Sequence, residues 1–340
     1  MGNNSKMGMR PRPEPLEISV PASVANLGPG LDTLAVALQL FLRVRVIGLD
    51  RERKNEMRFD LGGLRLDGEN FIERAFRFMA ERDGVDFPSL SLEIRSDIPT
   101  RSGLGSSAAA TVAGLRLYDA LLGPCPLQEL LNVACELEGH PDNAAAALLG
   151  GLTTSCQLKD GAVLAISMPW PEAVSFVVLT PELALETAES RRALPAEVMR
   201  EDAVFNLQRV ALLVQVLQSG EFGLLKEALR DRVHQPFRCS LVPGLEEMLA
   251  LDHPDLLGVF LGGAGPSIVA LAERNVAAVQ DLLADTYKHT GLTYALRTLH
   301  AHQNGTWKLN NCLLPAGTSP ADVPVRLESS LLIPKGPTSC

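Results

Sequence analysis

A two-domain protein of mixed α/β or α+β class is predicted by three observations. The chain has 340 residues, enough for about two domains, and its 46% apolar content can build two ordinary cores. Runs with strand character alternate with stretches of helical spacing through the first half. The pattern then restarts near residue 173 with VSFVVLTP, a buried-strand run. The chain accordingly divides into a polar, proline-spaced extension (1–15), a first domain (16–170), a second domain (171–303) and a tail (304–340). The tail turns to Pro, Gly, Ser and Thr without sustained periodicity and is expected to be mobile.

Taken in order, residues 17–20 and 41–49 (FLRVRVIGL) read as strands. Gly28, Pro29 and Gly30 bend the chain between them, ahead of an expected short apolar helix. ENFIERAFRFMAERDG (69–84) carries apolar residues at 71, 72, 75, 76 and 79, a helical spacing that stops at Gly84. LSLEIRSDIP (90–99) alternates as a strand, and PLQELLNVACELEG (126–139) runs from Pro126 to Gly139 as helices do. Beyond VSFVVLTP come helical stretches at 202–218 and 221–230. DLLGVFLGGAGPSIVALA (255–272) reads as strand, glycine loop, strand, and NVAAVQDLLADTYKHTG (275–291) as a helix. A mixed sheet with helices on one face is expected for this half. No repeat period emerges, which excludes solenoid architectures.

Composition narrows the partners. With 31 basic and 40 acidic residues, net −9, and no long basic run, a general nucleic-acid surface is not expected. No apolar run approaches a membrane span, and the opening MGNNSK puts Lys6 where a myristoylation signal needs Ser or Thr. Six cysteines (125, 135, 156, 239, 312, 340) lie scattered without a CxxC pair, so neither a zinc knuckle nor a disulfide framework is indicated. A small-molecule partner and a reducing cytoplasm are the expectations.

The most informative stretch is PTRSGLGSSAAATVAG (99–114), a glycine-serine loop running into an alanine-rich helix. Gly103 and Gly105 let the backbone approach a ligand, Ser106 or Ser107 can cap the helix, and free N–H groups with the helix dipole favour an anion. No Gly-Lys-Ser/Thr follows, so this is not a Walker A loop. GLGSSA does fit the relaxed dinucleotide pattern G-x-G-x-x-A. Against that reading, the loop comes late in the chain and Asp119, the acidic residue nearest the expected spacing, falls inside the helix.

Three further strings accompany the loop: PASVANLGPGLDTLAVAL (21–38), ELEGHPDNAAAALLGG (136–151) and LGGAGPSIVAL (261–271). In this order around GLGSSAA they resemble the GHMP small-molecule kinases, and within that superfamily the homoserine kinase family; the resemblance covers roughly residues 17–300. It implies an N-terminal domain of the ribosomal-protein-S5 domain 2 type and a C-terminal ferredoxin-like domain, with the active site between them. It also implies ATP and Mg²⁺ as cofactors, L-homoserine as the acceptor, and a homodimer.

Residue by residue, the resemblance places the nucleotide on Arg101, Ser102, Gly103, Leu104, Gly105, Ser106 and Ser107, with Asn70 near the adenine and Gly263 on the facing glycine loop. Asn70 serves equally as the cap of its helix. Mg²⁺, which prefers oxygen ligands, falls to Ser107 and Glu138, with Glu136 a rival. The resemblance assigns Asn26, Asp32, His140, Thr187, Arg191 and Arg238 to the acceptor amino acid. Two arginines suit one carboxylate, and Asp32 suits an ammonium. For catalysis it offers Asn143 to orient the hydroxyl, Arg191, and Asp142 as a candidate base, the alternative being direct proton transfer to the γ-phosphate.

Overall fold

The chain enters the fold as an antiparallel hairpin, β1 (Glu17–Asn26) and β2 (Gly30–Lys54), closed by a turn through Gly28 with Asn26 opposite Gly30. The computed structural model describes residues 16–64 and 68–309, with the backbone alone for 307–309. The helix expected after Gly30 is strand instead. Leu34, Ala35, Val36, Ala37 and Leu38 all lose their solvent contact, because both faces of this part of β2 are covered. A strand buried on both faces shows no alternation and reads from sequence like a buried helix.

The first layer continues with β3 (Met57–Asp60), α1 (Phe71–Arg82), β4 (Pro88–Ser96), α2 (Ser106–Leu121), α3 (Leu127–Glu138), α4 (Asp142–Leu149), β5 (Leu152–Gln157) and β6 (Val163–Met168). β4 pairs antiparallel with the distal part of β2 and parallel with β3, while β5 pairs with the proximal part at Leu34–Val36. The length of β2 lets one strand serve both wings of the sheet. Alanines at 108, 109, 113, 144, 145, 146 and 147 are buried, so small side chains allow α2 and α4 to lie close to the sheet.

The second domain comprises β7 (Ser175–Pro181), α5 (Thr187–Arg192), α6 (Arg200–Ser219), α7 (Leu225–Ala228), α8 (Gln235–Arg238), α9 (Leu245–Leu249), β8 (Gly258–Leu261), β9 (Ile268–Ala272), α10 (Val276–Tyr287) and β10 (Tyr294–Leu299). Its sheet has the order β10-β7-β9-β8 with every pair antiparallel, so the expected mixed sheet is corrected to an antiparallel one. Strands and intervening helices follow the β-α-β-β-α-β ferredoxin-like pattern. The helix expected over 221–230 is a 3₁₀ turn at Phe222–Leu224 followed by the short α7.

The principal core does not stop at the domain boundary. Phe176, Val178, Phe260, Val269 and Leu271 of the second sheet belong to the same cluster as Ile18, Val24 and Val36 of the first. The other face of the second sheet has its own core with Leu283 and Tyr287 of α10. The final described segment returns to the first sheet, where β11 (Trp307–Leu309) pairs with β1. Residues 304–309, expected to open the tail, are therefore packed: Thr306 donates from N and Oγ1 to Ala147 O, and Gly305 lies against Leu148 O. The extension 1–15 and residues 310–340 lie outside the described residues.

Candidate active site

β4 delivers the chain through Pro99 and Thr100 into a loop that holds Arg101, Gly103 and Gly105 at φ of +52°, +80° and +69°. A Cβ on Gly103 would lie 2.2 Å from Gly262 O, and one on Gly105 would lie 2.3 Å from Ser23 Oγ. Both positions need glycine for conformation and for room. The loop is bonded to both domains, since Ser23 N donates to Leu104 O at 3.2 Å and Ser267 N donates to Ser102 O at 3.1 Å. Gly105 is the N-cap of α2 and no side chain caps it. Ser106 and Ser107, expected as caps, occupy the first turn instead because the left-handed Gly105 takes the capping position. The first amides of α2 thus meet the cavity at the positive end of the helix, suited to an anion.

That cavity, about 510 Å³, runs between the domains and is lined by residues from the loop, α1, α3, α4 and α5. Arg101, Ser102, Gly103, Gly105, Ser106, Ser107 and Gly263 all line it. Leu104 does not: its side chain is buried in the core, where an apolar group is driven, and its carbonyl is taken by Ser23. Asn70 lines the cavity and caps α1, accepting from Ile72 N at 3.1 Å and Glu73 N at 3.4 Å. Around it Leu42, Leu61, Phe71 and Ile94 make an apolar end.

Glu138, the last residue of α3, faces the first turn of α2. It accepts from Ser107 Oγ at 2.8 Å and from Thr111 Oγ1 at 2.5 Å, and Arg74 Nη2 stands 3.9 Å away. Glu136 is exposed and outside the cavity, since two residues along a helix turn the side chain to a different face. A nearly buried carboxylate beside two hydroxyls is an all-oxygen donor set of the kind a hard divalent cation takes.

At the opposite end charged groups from both domains meet. Asp32, in the left-handed region at φ +54°, receives both guanidinium nitrogens of Arg191, Nη2 to Oδ1 at 2.6 Å and Nη1 to Oδ2 at 3.1 Å. Burial works against the Asp32 charge, but the Arg191 bonds and charge hold its pKa below the ordinary carboxylate value, and the same bonds raise Arg191. His140 Nδ1 lies 2.7 Å from Asp142 Oδ1, which also accepts from Asn143 N at 2.7 Å. Burial disfavours a charged His140, yet Asp142 holds its pKa above the ordinary imidazole value. Asn143 Oδ1 accepts from Ser23 Oγ at 2.9 Å. Arg238 is fully buried beside this group; burial, then Arg191, push its pKa down to about 10.

The structure thus gathers Asp32, His140, Asp142, Asn143, Thr187, Arg191 and Arg238 around one end of the cavity. Asn26 lines it as well, but its amide donates to Gly263 O at 2.9 Å and accepts from Asp32 N at 3.1 Å, so it holds the turn that presents Asp32. Thr111, Arg74 and Ser23 were not legible as site residues. Thr111 was within reach, since it follows Ser107 by four residues on one helix face. The others meet the site across long sequence separations.

Two family models match the chain, GHMP kinases N terminal domain over residues 70–151 and GHMP kinases C terminal over residues 213–289. A homoserine kinase from Solibacter usitatus is 40% identical over 285 residues, covering 83% of this chain and 93% of that protein. One from Synechococcus is 36% identical over 307 residues, covering 86% and 97%. The crystal structure of homoserine kinase from Cytophaga hutchinsonii superposes with a TM-score of 0.75 at 26% identity, over 89% of this chain and 100% of that one. With the loop, the two-domain topology and the interdomain cavity all in place, the chain belongs to the GHMP kinases and, among them, to the homoserine kinase family.

Proposed function

We infer that the protein transfers the γ-phosphoryl group of ATP to the side-chain hydroxyl of L-homoserine, giving O-phospho-L-homoserine for threonine biosynthesis. The observation that carries this reading is the Asp32–Arg191 pair with Arg238 beside it, at the end of a cavity that also meets the N-terminus of α2, which suits an anion. A zwitterion presents the complement of that pair, an ammonium for Asp32 and a carboxylate for Arg191 and Arg238. Asp32, His140 and Asp142 place polar atoms within 4.8 Å of one another, and the two carboxylates among them suit the ammonium end. An acceptor without a carboxylate leaves the buried Arg238 with only neutral partners, which is costly.

We assign the triphosphate to the first amides of α2 and the loop 101–107, and the adenine to the apolar end around Asn70. Ser107 and Glu138 would hold Mg²⁺, with Thr111 fixing the carboxylate; when bound, the ion neutralises charge on the phosphates. Asn143, tied to Ser23, orients the acceptor hydroxyl in line with the phosphoryl group. The hydroxyl proton passes to Asp142 or directly to the phosphoryl oxygens. Asp142→Asn separates these, lowering kcat by about 10²–10⁴-fold if Asp142 is the base. ATP consumption and an amino-acid substrate support a cytoplasmic location.

The test is ADP release with Mg-ATP against L-homoserine, mevalonate, shikimate, galactose and no acceptor, with the product identified by phosphorus NMR. Selective turnover of L-homoserine supports the assignment. Turnover of another acceptor keeps the kinase and removes the zwitterion pocket, and silence across the panel removes the kinase activity.

A further inference from the structure

His234 is fully buried and lies outside the cavity lining, yet its ring touches Arg238 on one side and the backbone turn that leads to Asp32 on the other. Nε2 lies 2.6 Å from the carbonyl of Gly28, in the turn that carries Asp32, and Nδ1 lies 3.1 Å from Nη1 of Arg238. The guanidinium has no acceptor, so Nδ1 must accept, and the single ring proton of a neutral imidazole sits on Nε2 and donates to Gly28. The contact fixes the tautomer, and the neutral ring spans the turn and the arginine as a rigid spacer.

The surroundings hold the ring in place. Asp231 accepts from the backbone N–H of Val233, His234 and Gln235 at 2.9, 3.0 and 2.6 Å, and from Asn206 Nδ2 at 2.6 Å. Asn206 Nδ2 also donates to Pro29 O at 3.3 Å, so the same cluster grips the turn twice. A Cβ on Gly28 would lie 2.1 Å from Leu229 O, which shows how closely the turn and the segment before α8 approach. Arg238 also donates from Nη1 to Gly263 O at 3.1 Å and from Nε to Ser190 O at 3.4 Å. Its Nη2 makes no hydrogen bond among the described residues, leaving that nitrogen for an incoming carboxylate. Without the Nδ1 contact the arginine keeps Gly263 O on Nη1 and the longer bond from Nε to Ser190 O, and loses the one contact that ties it to the turn through His234 and Gly28.

We propose that His234 is a positioning residue for acceptor recognition, setting the distance between the ammonium wall at Asp32 and the carboxylate wall at Arg238 by bridging Gly28 and Arg238. It touches neither substrate nor nucleotide. The inference rests on the homoserine reading above, and it makes acceptor affinity, not ATP affinity, depend on a buried neutral histidine.

The test compares wild-type protein with His234→Ala, His234→Asn and His234→Gln by steady-state kinetics, thermal melting and calorimetric titration with L-homoserine. His234→Ala and His234→Asn, which cannot span both contacts, are expected to raise KM for L-homoserine about 10- to 100-fold, the penalty of misplacing a binding group. KM for ATP and kcat at saturating acceptor should stay within about twofold of wild type, since the loop and α2 are untouched. His234→Gln carries a donor and an acceptor on one amide and is expected to recover most of the affinity. Should the alanine variant not fold, the asparagine and glutamine variants still give the comparison. Unchanged L-homoserine binding in a folded His234→Asn variant overturns the proposal, as does a loss shared equally by both substrates and kcat with no rescue by Gln. Wild-type protein inert toward L-homoserine overturns the homoserine reading and this inference together. Wild-type turnover with indifferent variants overturns only this one.

Discussion

Arg191 and Asp32 form the pair proposed to select the acceptor, and their exposure separates two effects of removing it. Each side chain keeps more than a third of its solvent contact, so the ion pair itself contributes to folding at most about 1 kcal/mol. Binding would differ, because the proposed substrate carboxylate would cover Arg191 and be desolvated together with it. Arg191→Ala is expected to lower kcat/KM for L-homoserine by about 30-fold to several thousand-fold, equivalent to about 2–5 kcal/mol, with little change in the melting temperature. Kinetics and thermal melts on the same preparation check both halves; unchanged kinetics would remove Arg191 from the pocket. Asp32 also predicts the acid limb of stability. Its folded pKa is lowered, so its stabilisation is complete above the ordinary carboxylate value of about 3.9 and is lost as pH falls through the lowered folded value. Asp32→Asn should flatten the pH dependence of the melting temperature in that window. At this scale the words around Asp32, Arg191 and Arg238 were legible. Their mutual pairing was not, because 159 residues separate Asp32 from Arg191 and no local spacing encodes such a contact.

Among the elements, the loop before α2 shows how one residue type meets two different demands. Gly103 and Gly220 share nearly the same left-handed φ, +80° and +79°. A Cβ on Gly103 collides with backbone carbonyls of Gly262 and Gly265, whereas one on Gly220 has open space around it. Gly220→Ala is expected to cost about 1 kcal/mol, the conformational penalty alone, and to leave kinetics unchanged. Gly103→Ala adds overpacking of about 1–3 kcal/mol and shifts the loop from its partner, so ATP binding should fail. Urea titration and nucleotide binding distinguish the two; equal losses would refute the role of close approach. The same contrast explains what the sequence revealed. Helices with an amphipathic stripe, such as α1 with its Asn70 cap, were legible within two residues at each end. The strand through residues 31–40 was not, because burial on both faces erases the period that distinguishes strand from helix.

For the whole molecule, one core joins the two sheets, and contacts such as His234 to Gly28 and Asn26 to Gly263 cross between the domains. A single unfolding transition is therefore expected by calorimetry; two resolved transitions would show that the domains are energetically separate. The last segment makes the same argument in smaller compass. β11 pairs with β1, Thr306 satisfies Ala147 O near the C-terminal end of α4, and Gly305 fits against Leu148 O with no room for a side chain. The opposite end of α4 begins with Asp142 and Asn143, so this segment packs against the helix that presents the pair proposed to act in catalysis. Two truncations isolate it, one ending at residue 309 and one at residue 303. The shorter protein loses the edge strand and leaves the Ala147 carbonyl of α4 without its Thr306 partner, at about 1–3 kcal/mol. It should melt several degrees below the longer one and show a lower kcat, because a loosened α4 misplaces Asn143 relative to the phosphoryl group. Equal melting temperatures and equal kcat for the two truncations would show that residues 304–309 do not support the site.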